Sequence, residues 1–254
     1  MLLQLIDTAL ISKNLDEKFI VLFEQILNGD ISELDEAIKY NITTHDNFWS
    51  LIGYSLFEKT AECGHINVVK LLLKYIDKPL LMALNVNFYP LFFACMMGHV
   101  DIVRLLLEHG FDAYVNQLGK TRNGIRYSCL NYACMNGSIA IVQLLIAYGA
   151  DIHQTDEGRF SPLAYACVNN RLEIAKVLID HGADVNAIFG DTLLSLTIKW
   201  VFQSDCKELI QLLLEHGADP NKAGSNGKTV FDYVTEGSEI AQLLINAQTE
   251  PILK

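Results

Sequence analysis

One pattern of polar and apolar positions recurs along this chain. His65-Ile-Asn-Val-Val-Lys-Leu-Leu-Leu73 is repeated position for position by His99-Val-Asp-Ile-Val-Arg-Leu-Leu-Leu107. Ser138-Ile-Ala-Ile-Val-Gln-Leu-Leu-Ile146 and Arg171-Leu-Glu-Ile-Ala-Lys-Val-Leu-Ile179 follow with small changes, and Lys207–Leu214 and Ser238–Ile245 are shorter copies. Apolar residues three and four apart predict a helix that buries one face. The first residue of each apolar triplet falls at 71, 105, 144, 177, 212 and 243, giving steps of 34, 39, 33, 35 and 31. Self-similarity at such a period marks a stacked repeat array, in which no single unit can bury its own apolar face.

A shorter helix is predicted ahead of each of these, opening at Ser55, Tyr89, Ser128, Ser161, Thr192 and Thr229. Ser and Thr accept from the unpaired N–H groups of a helix start. Pro90 and Pro162 follow at the first helical position, where a missing N–H costs nothing. Gly64, Gly98, Gly137 and Asn170 are the expected stops of the shorter helix, and Gly110, Gly149, Gly182 and Gly217 those of the longer one. These residue types tolerate the left-handed backbone that ends a helix. One unit is therefore two antiparallel helices and a turn-rich connection.

This arrangement resembles the ankyrin repeat over about residues 50–246. Tyr89-Pro-Leu-Phe-Phe-Ala94 and Ser161-Pro-Leu-Ala-Tyr-Ala166 are similar to its T-P-L-H-x-A signature, and His181-Gly-Ala-Asp-Val-Asn186 and His216-Gly-Ala-Asp-Pro-Asn221 to its G-A-D-V-N ending. The resemblance implies an all-α solenoid of helix-turn-helix units with hairpin-like fingers. Residues 1–48 carry helical spacing at Leu15–Leu27 and Ile31–Tyr40 and read as an N-terminal cap; residues 49–246 form the array, and 247–254 a tail. Terminal caps are needed because the stacked core would otherwise open to water.

Composition narrows the function. Half the chain is apolar and 19% is charged, which fits a folded protein. A formal net charge of −11 disfavours general nucleic-acid binding, which runs on Lys and Arg. No apolar run approaches the ~18–20 residues of a membrane span. The start, Met1–Asp7, has no basic region, so no signal peptide is expected, and a cytoplasmic location follows. Cys95, Cys134 and Cys167 share one repeat position, directly after Ala94, Ala133 and Ala166. A metal or redox ladder is one reading; a small apolar side chain between closely packed helices is the stronger one. His65, His99, His109, His181 and His216 fall near helix ends, where they can bond backbone groups. No catalytic motif, cofactor loop or zinc-ligand spacing is present, so no enzyme, cofactor or metal is expected.

The resemblance implies that a partner protein binds the finger tips and the free side of the shorter helix, on the concave face. The matching positions here are Phe88, Met96, Met97, Tyr127, Met135, Phe160, Phe189 and Trp200. They could be polar without harm to the fold, yet they are aromatic or Met, the residue types enriched in interface cores. Folding inward between fingers is the alternative.

Two units break the rhythm. The third is lengthened by Gln117–Arg126. Because Ala113–Ala150 contains no Asp or Glu, Lys120, Arg122 and Arg126 form a local positive patch expected to meet an acidic segment of the partner. A solvated loop is the alternative. The fifth unit carries extra residues around Trp200–Cys206, in its first helix or in the connection after it, with Phe202 beside Trp200 as a second possible wall.

The expected function is an adaptor, inhibitor or scaffold, monomeric on its own. Proteins of this kind occur in eukaryotes and in bacteria that deliver proteins into host cells, so an effector in a host cytosol is one form of it. Two alternatives stand beside it: an ankyrin-associated enzyme using residues 1–48 or the irregular units, and a substrate of a host asparagine hydroxylase at Asn186 or Asn221.

Overall fold

The computed structural model describes residues 54–75, 89–121, 124–201 and 206–249. The expected cap at 1–48, Phe88, Arg122, Phe202 and residues 250–254 lie outside them. Two compact units form, Met1–Gly110 and Phe111–Lys254.

In the first unit, α1 (Tyr54–Cys63) and α2 (Ile66–Tyr75) make one helix pair, and α3 (Pro90–Met97) and α4 (Val100–Glu108) the next. Helix α1 packs on α3 and α2 on α4, so short helix meets short helix and long meets long. Phe57, Leu72, Leu91, Phe92, Leu106 and Leu107 fill the space between them. The first helix begins at Tyr54, one residue ahead of the expected opening at Ser55.

The second unit opens with a 3-10 turn, Phe111–Tyr114, and a hairpin in which β1 (Gly119–Lys120) pairs with β2 (Arg126–Tyr127). The lengthened third repeat thus spends its extra residues on a longer finger. Then come α5 (Cys129–Asn136) and α6 (Ile139–Ala147), α7 (Pro162–Val168) and α8 (Leu172–Asp180). A second hairpin, β3 (Ile188–Phe189) with β4 (Asp191–Thr192), leads into α9 (Leu193–Trp200) and α10 (Lys207–Glu215). A 3-10 turn at Val230–Asp232 and α11 (Glu239–Thr249) complete the last repeat. Helices α5, α7 and α9 form one layer and α6, α8 and α10 the other, with α11 against α10. The extra residues of the fifth repeat follow α9, which is no longer than α5. Helix α11 runs to Thr249, so Ala247, Gln248 and Thr249 are helical where a tail was expected.

The caps and stops fall where the residue types place them. Ser128, Ser161 and Thr192 accept from the backbone N–H three residues on, and Thr229 with Asp232 forms a reciprocal capping box. Tyr89 opens α3 without a side-chain cap, and its N–H donates to Glu58 Oε1 at 2.9 Å instead. Asn170 has φ +52° and ends its turn as the stop glycines do. Gly64 is required twice over: its φ is +83°, and a Cβ there would stand 2.7 Å from the His99 ring. That ring donates from Nε2 to the Glu62 carbonyl at 2.9 Å, so one repeat caps the helix of the repeat before it. His109, His181 and His216 each donate from Nδ1 to the carbonyl four residues back, as their positions near helix ends led us to expect. Cys95, Cys134 and Cys167 are all fully buried, which fits the packing reading.

Asparagines tie successive repeats of the second unit together. Asn186 Nδ2 donates to the Gly217 carbonyl (2.7 Å), its Oδ1 accepts from Asp219 N–H (2.8 Å), and its carbonyl accepts from Lys222 Nζ (2.8 Å). Asn116 does the same two fingers earlier, with Gly149, Asp151 and Gln154. The Asp of each G-A-D turn makes the local Asx bond instead: Asp184 to Asn186 N–H and Asp219 to Asn221 N–H, both 2.8 Å. Stability in such an array is a sum of repeats and nearest-neighbour interfaces, and these bonds belong to the interface share.

Candidate interaction face

The functional side chains of the second unit arise where a finger turns into a short helix. The cap residue is extended, so the residue before it is carried on the finger. Tyr127 precedes the Ser128 cap and Phe160 the Ser161 cap. Phe189 lies in β3. Tyr132 and Tyr165 stand four residues past their caps, on the sides of α5 and α7 that meet the fingers.

These five rings form one unbroken run. Tyr127 stands 5.3 Å from Tyr132, edge to face, and 6.0 Å from Tyr165. Phe160 is 5.7 Å from Tyr165 and stacks on Phe189 at 6.0 Å with 16° between planes. All five are half-buried. Neighbouring rings cover part of each one, and part of each stays exposed. Ring pairs in these geometries contribute about 0.5–1.5 kcal/mol beyond the area they bury.

A buried carboxylate holds the middle of the run. Asp156 accepts from the Tyr165 hydroxyl and from Phe160 N–H (2.8 Å), while its own N–H donates to the Phe160 carbonyl (3.2 Å). Arg159 takes φ +66° to close that tight tip. Burial first, and then the bond to Asp156 and its charge, push the Tyr165 phenol well above its ordinary range. Asn131, fully buried on α5, donates from Nδ2 to the Phe160 carbonyl at 3.2 Å and ties this tip to the preceding repeat.

Toward the other end of the unit a second buried carboxylate, Asp191, receives a different set of donors. Lys199 Nζ lies 2.6 Å from Oδ2, and Asn226 Nδ2 (3.0 Å) and the Tyr233 hydroxyl (3.1 Å) donate to Oδ1. Burial alone would raise this carboxyl. The bonds to Lys199, Tyr233 and Asn226 outweigh it and hold the group below the ordinary carboxylate value. Lys199 is shifted up, chiefly by its bond to Asp191. Gly224 permits this junction, since a Cβ there would stand 2.7 Å from the Gly190 carbonyl and 2.9 Å from Asp191 Cα.

The remaining candidates fall as follows. Trp200 ends α9 and is 68% exposed; Met135 on α5 is half-buried. In the first unit Met97 is 50% exposed at the end of α3, beside half-buried Met96. Lys120 and Arg126 are exposed on the long finger, but Arg126 is not free. Its Nε lies 3.7 Å from Glu157, whose carboxylate also accepts from Arg126 N–H at 3.1 Å. The acid-free stretch thus borrows an acid from the next finger, and the positive patch is weaker than its sequence implied. Asp156, Tyr132, Tyr165, Asn226 and Tyr233 went unseen in the sequence. An aromatic four residues past the cap in three repeats, Phe93, Tyr132 and Tyr165, is the signal that could have found two of them.

Among the described residues no group of three His, Cys, Asp or Glu could hold a metal, and no helix is long and apolar enough to cross a membrane. A family model described as ankyrin repeats (3 copies) matches residues 22–117 and 115–189. This chain is an ankyrin-repeat protein. The match reaches back to residue 22, into the segment read as a degenerate cap, and the helix pairs after 189 continue the array beyond it. The crystal structure of the human ASB11 ankyrin repeat domain is similar to this ankyrin chain with a TM-score of 0.65 and 24% identity, over 91% of this chain and 98% of that one. In all, 460 solved chains match, so the fold does not by itself choose a partner. No curated protein sequence matches this one. The expected all-α architecture of helix-turn-helix units is the one that forms, and ankyrin repeats are in general protein–protein interaction modules.

Proposed function

We propose that this protein binds a partner protein through the finger and short-helix face of the unit Phe111–Lys254, acting as an adaptor, inhibitor or scaffold. The observation that carries this reading is the run of rings from Tyr132 through Tyr127, Tyr165 and Phe160 to Phe189. Half-exposed rings held together on the fingers supply a partner with large apolar area at low entropic cost. Asp156 and Asn131 hold the run in place, and a preorganised surface loses less freedom on binding. Helices α5, α7 and α9 carry no Asp or Glu, whereas α8 and α10 carry Glu173, Asp180, Glu208 and Glu215. Among the helices of this unit the acids therefore lie on the long ones, and the short helices next to the rings carry none.

The test is capture of partners from lysate on the immobilised protein, identified by mass spectrometry. A variant with Phe189→Ser and Trp200→Ala is compared with one changed on the long helices, Lys176→Ala with Gln211→Ala. Loss of the partner in the first and retention in the second is expected. The reverse pattern, with both variants folded, would overturn the reading. Comparing eukaryotic lysate with that of the source organism distinguishes a host partner from an endogenous one.

A further inference from the structure

We infer that the end of α9, with the finger that leads into the last repeat, is a landing site for an acidic segment of the partner that carries an apolar side chain beside its carboxylates. The inference rests on the interaction reading above and adds the chemistry of the partner. Two ammonium groups converge on one ring: Lys199 Nζ lies 5.0 Å and Lys228 Nζ 5.5 Å from the centre of Tyr233. A single carboxylate, Asp191, is bonded into this cluster. It is only 7% exposed, and both its oxygens are occupied, one by Lys199 and the other by Asn226 and Tyr233. Asp232, the carboxylate next to Tyr233, is bound to Thr229 in the capping box. Two cations thus share one committed anion, and Lys228, exposed on its finger, makes no ion pair with a described residue. Directly after Lys199 comes Trp200, the most exposed of the large apolar side chains.

An exposed ammonium with no ion-pair partner among the described residues stands out in a chain of net charge −11. It faces a layer of short helices on which Lys199 is the sole charge from Cys129 to Trp200 within helices. A carboxylate approaching along α5, α7 and α9 meets no helical anion. An ammonium held over an aromatic face has already shed part of its hydration and attracts a carboxylate more strongly for it. The indole of Trp200 offers the kind of broad, exposed apolar surface on which interface anchors settle. The acidic partner contact expected at the Lys120–Arg126 finger is therefore better served here, because Arg126 already pairs with Glu157 and Lys228 makes no ion pair with a described residue.

The test uses the whole chain and two arrays of labelled dodecapeptides. One array is randomised over Asp, Glu, Phe and Leu; in the other, Asn and Gln replace the acids. Preferential retention of the acidic array, fading with added salt, is the expected result. Lys228→Glu and Trp200→Ala should each weaken the retained peptides about tenfold or more, the scale of one good interface contact. Both side chains are exposed, and circular dichroism with urea midpoints near those of the parent would show that the variants fold. Equal retention of both arrays, or indifference to Lys228→Glu, overturns the proposal while leaving the interaction face in place. Retention of neither array, or preference for a phosphotyrosine-bearing array over the acidic one, also overturns it. Failure of the broader reading would show separately, as partner capture indifferent to Phe189→Ser.

Discussion

Two fingers of the second unit each bury a carboxylate, and they spend it differently. Asp156 turns inward on its own repeat, bonding Phe160 and Tyr165 within nine residues of chain. Asp191 takes Lys199 from its own repeat but Asn226 and Tyr233 from the next, 35 and 42 residues away. One shapes a tip and leaves the surface apolar; the other joins two repeats and leaves a cationic fringe. The same residue type at a similar place thus shapes a ring-lined tip in one finger and a joint in the other, depending on what faces it.

Breaking each carboxylate separates the roles. Asp191→Ala should be the more damaging, because Lys199, Asn226 and Tyr233 lose their acceptor together; a loss of about 3 kcal/mol is the scale for removing a charged acceptor from several donors at once. The urea midpoint measures it. Hydrogen exchange should quicken across the last repeat, at the 3-10 turn and α11. Asp156→Ala should cost about 2 kcal/mol, for two buried bonds left unmade. Its faster exchange should stay within the Asp156–Val168 segment, and spread into the last repeat would contradict the contrast drawn above.

Acid should act on the same contrast more gently. The folded carboxyl of Asp191 lies below its ordinary value of 3.8. Its contribution is therefore complete above that value and is lost as pH falls through the lower, folded value. The stability advantage of the parent over Asp191→Asn should be flat near neutral pH and shrink only below about pH 4. An advantage that shrank at pH 6 would mean that another group governs the joint. The smallest effect belongs to Tyr165→Phe, which removes one hydroxyl bond to Asp156 and should cost about 1 kcal/mol by thermal or urea unfolding.

The fold was largely legible in the sequence because its signals are local. Apolar spacing, Ser and Thr caps and stop glycines act within a few residues, and each acts again in every repeat. The candidate surface was legible only in part. Tyr127, Phe160 and Phe189 could be found by counting back from a cap, since the cap geometry dictates where they sit. The bonding of Asp156 and Asp191 could not, although Asp191 too directly precedes a cap, because a carboxylate in a turn looks alike whether it faces water, its own tyrosine or the next repeat's donors. The pairing of Arg126 with Glu157 was hidden for the same reason: the partner lies 31 residues on, across a finger boundary that no periodicity encodes. The asparagine links were half visible. A turn asparagine commonly bonds its own turn, whereas here Asp184 does that and Asn186 reaches forward.

The buried thiols have a practical consequence. Cys95, Cys134 and Cys167 are sealed from solvent at one position of three successive repeats, whereas Cys63 is open. Burial pushes the Cys167 thiol up to about 12 and the Cys134 thiol higher still, so neither reacts while its repeat is closed. A maleimide added to the native protein would mark Cys63 at once. It would mark each sealed thiol only as often as that repeat breathes, and the wild-type chain thus carries its own set of stopwatches, spread over successive repeats, with no label engineered into it.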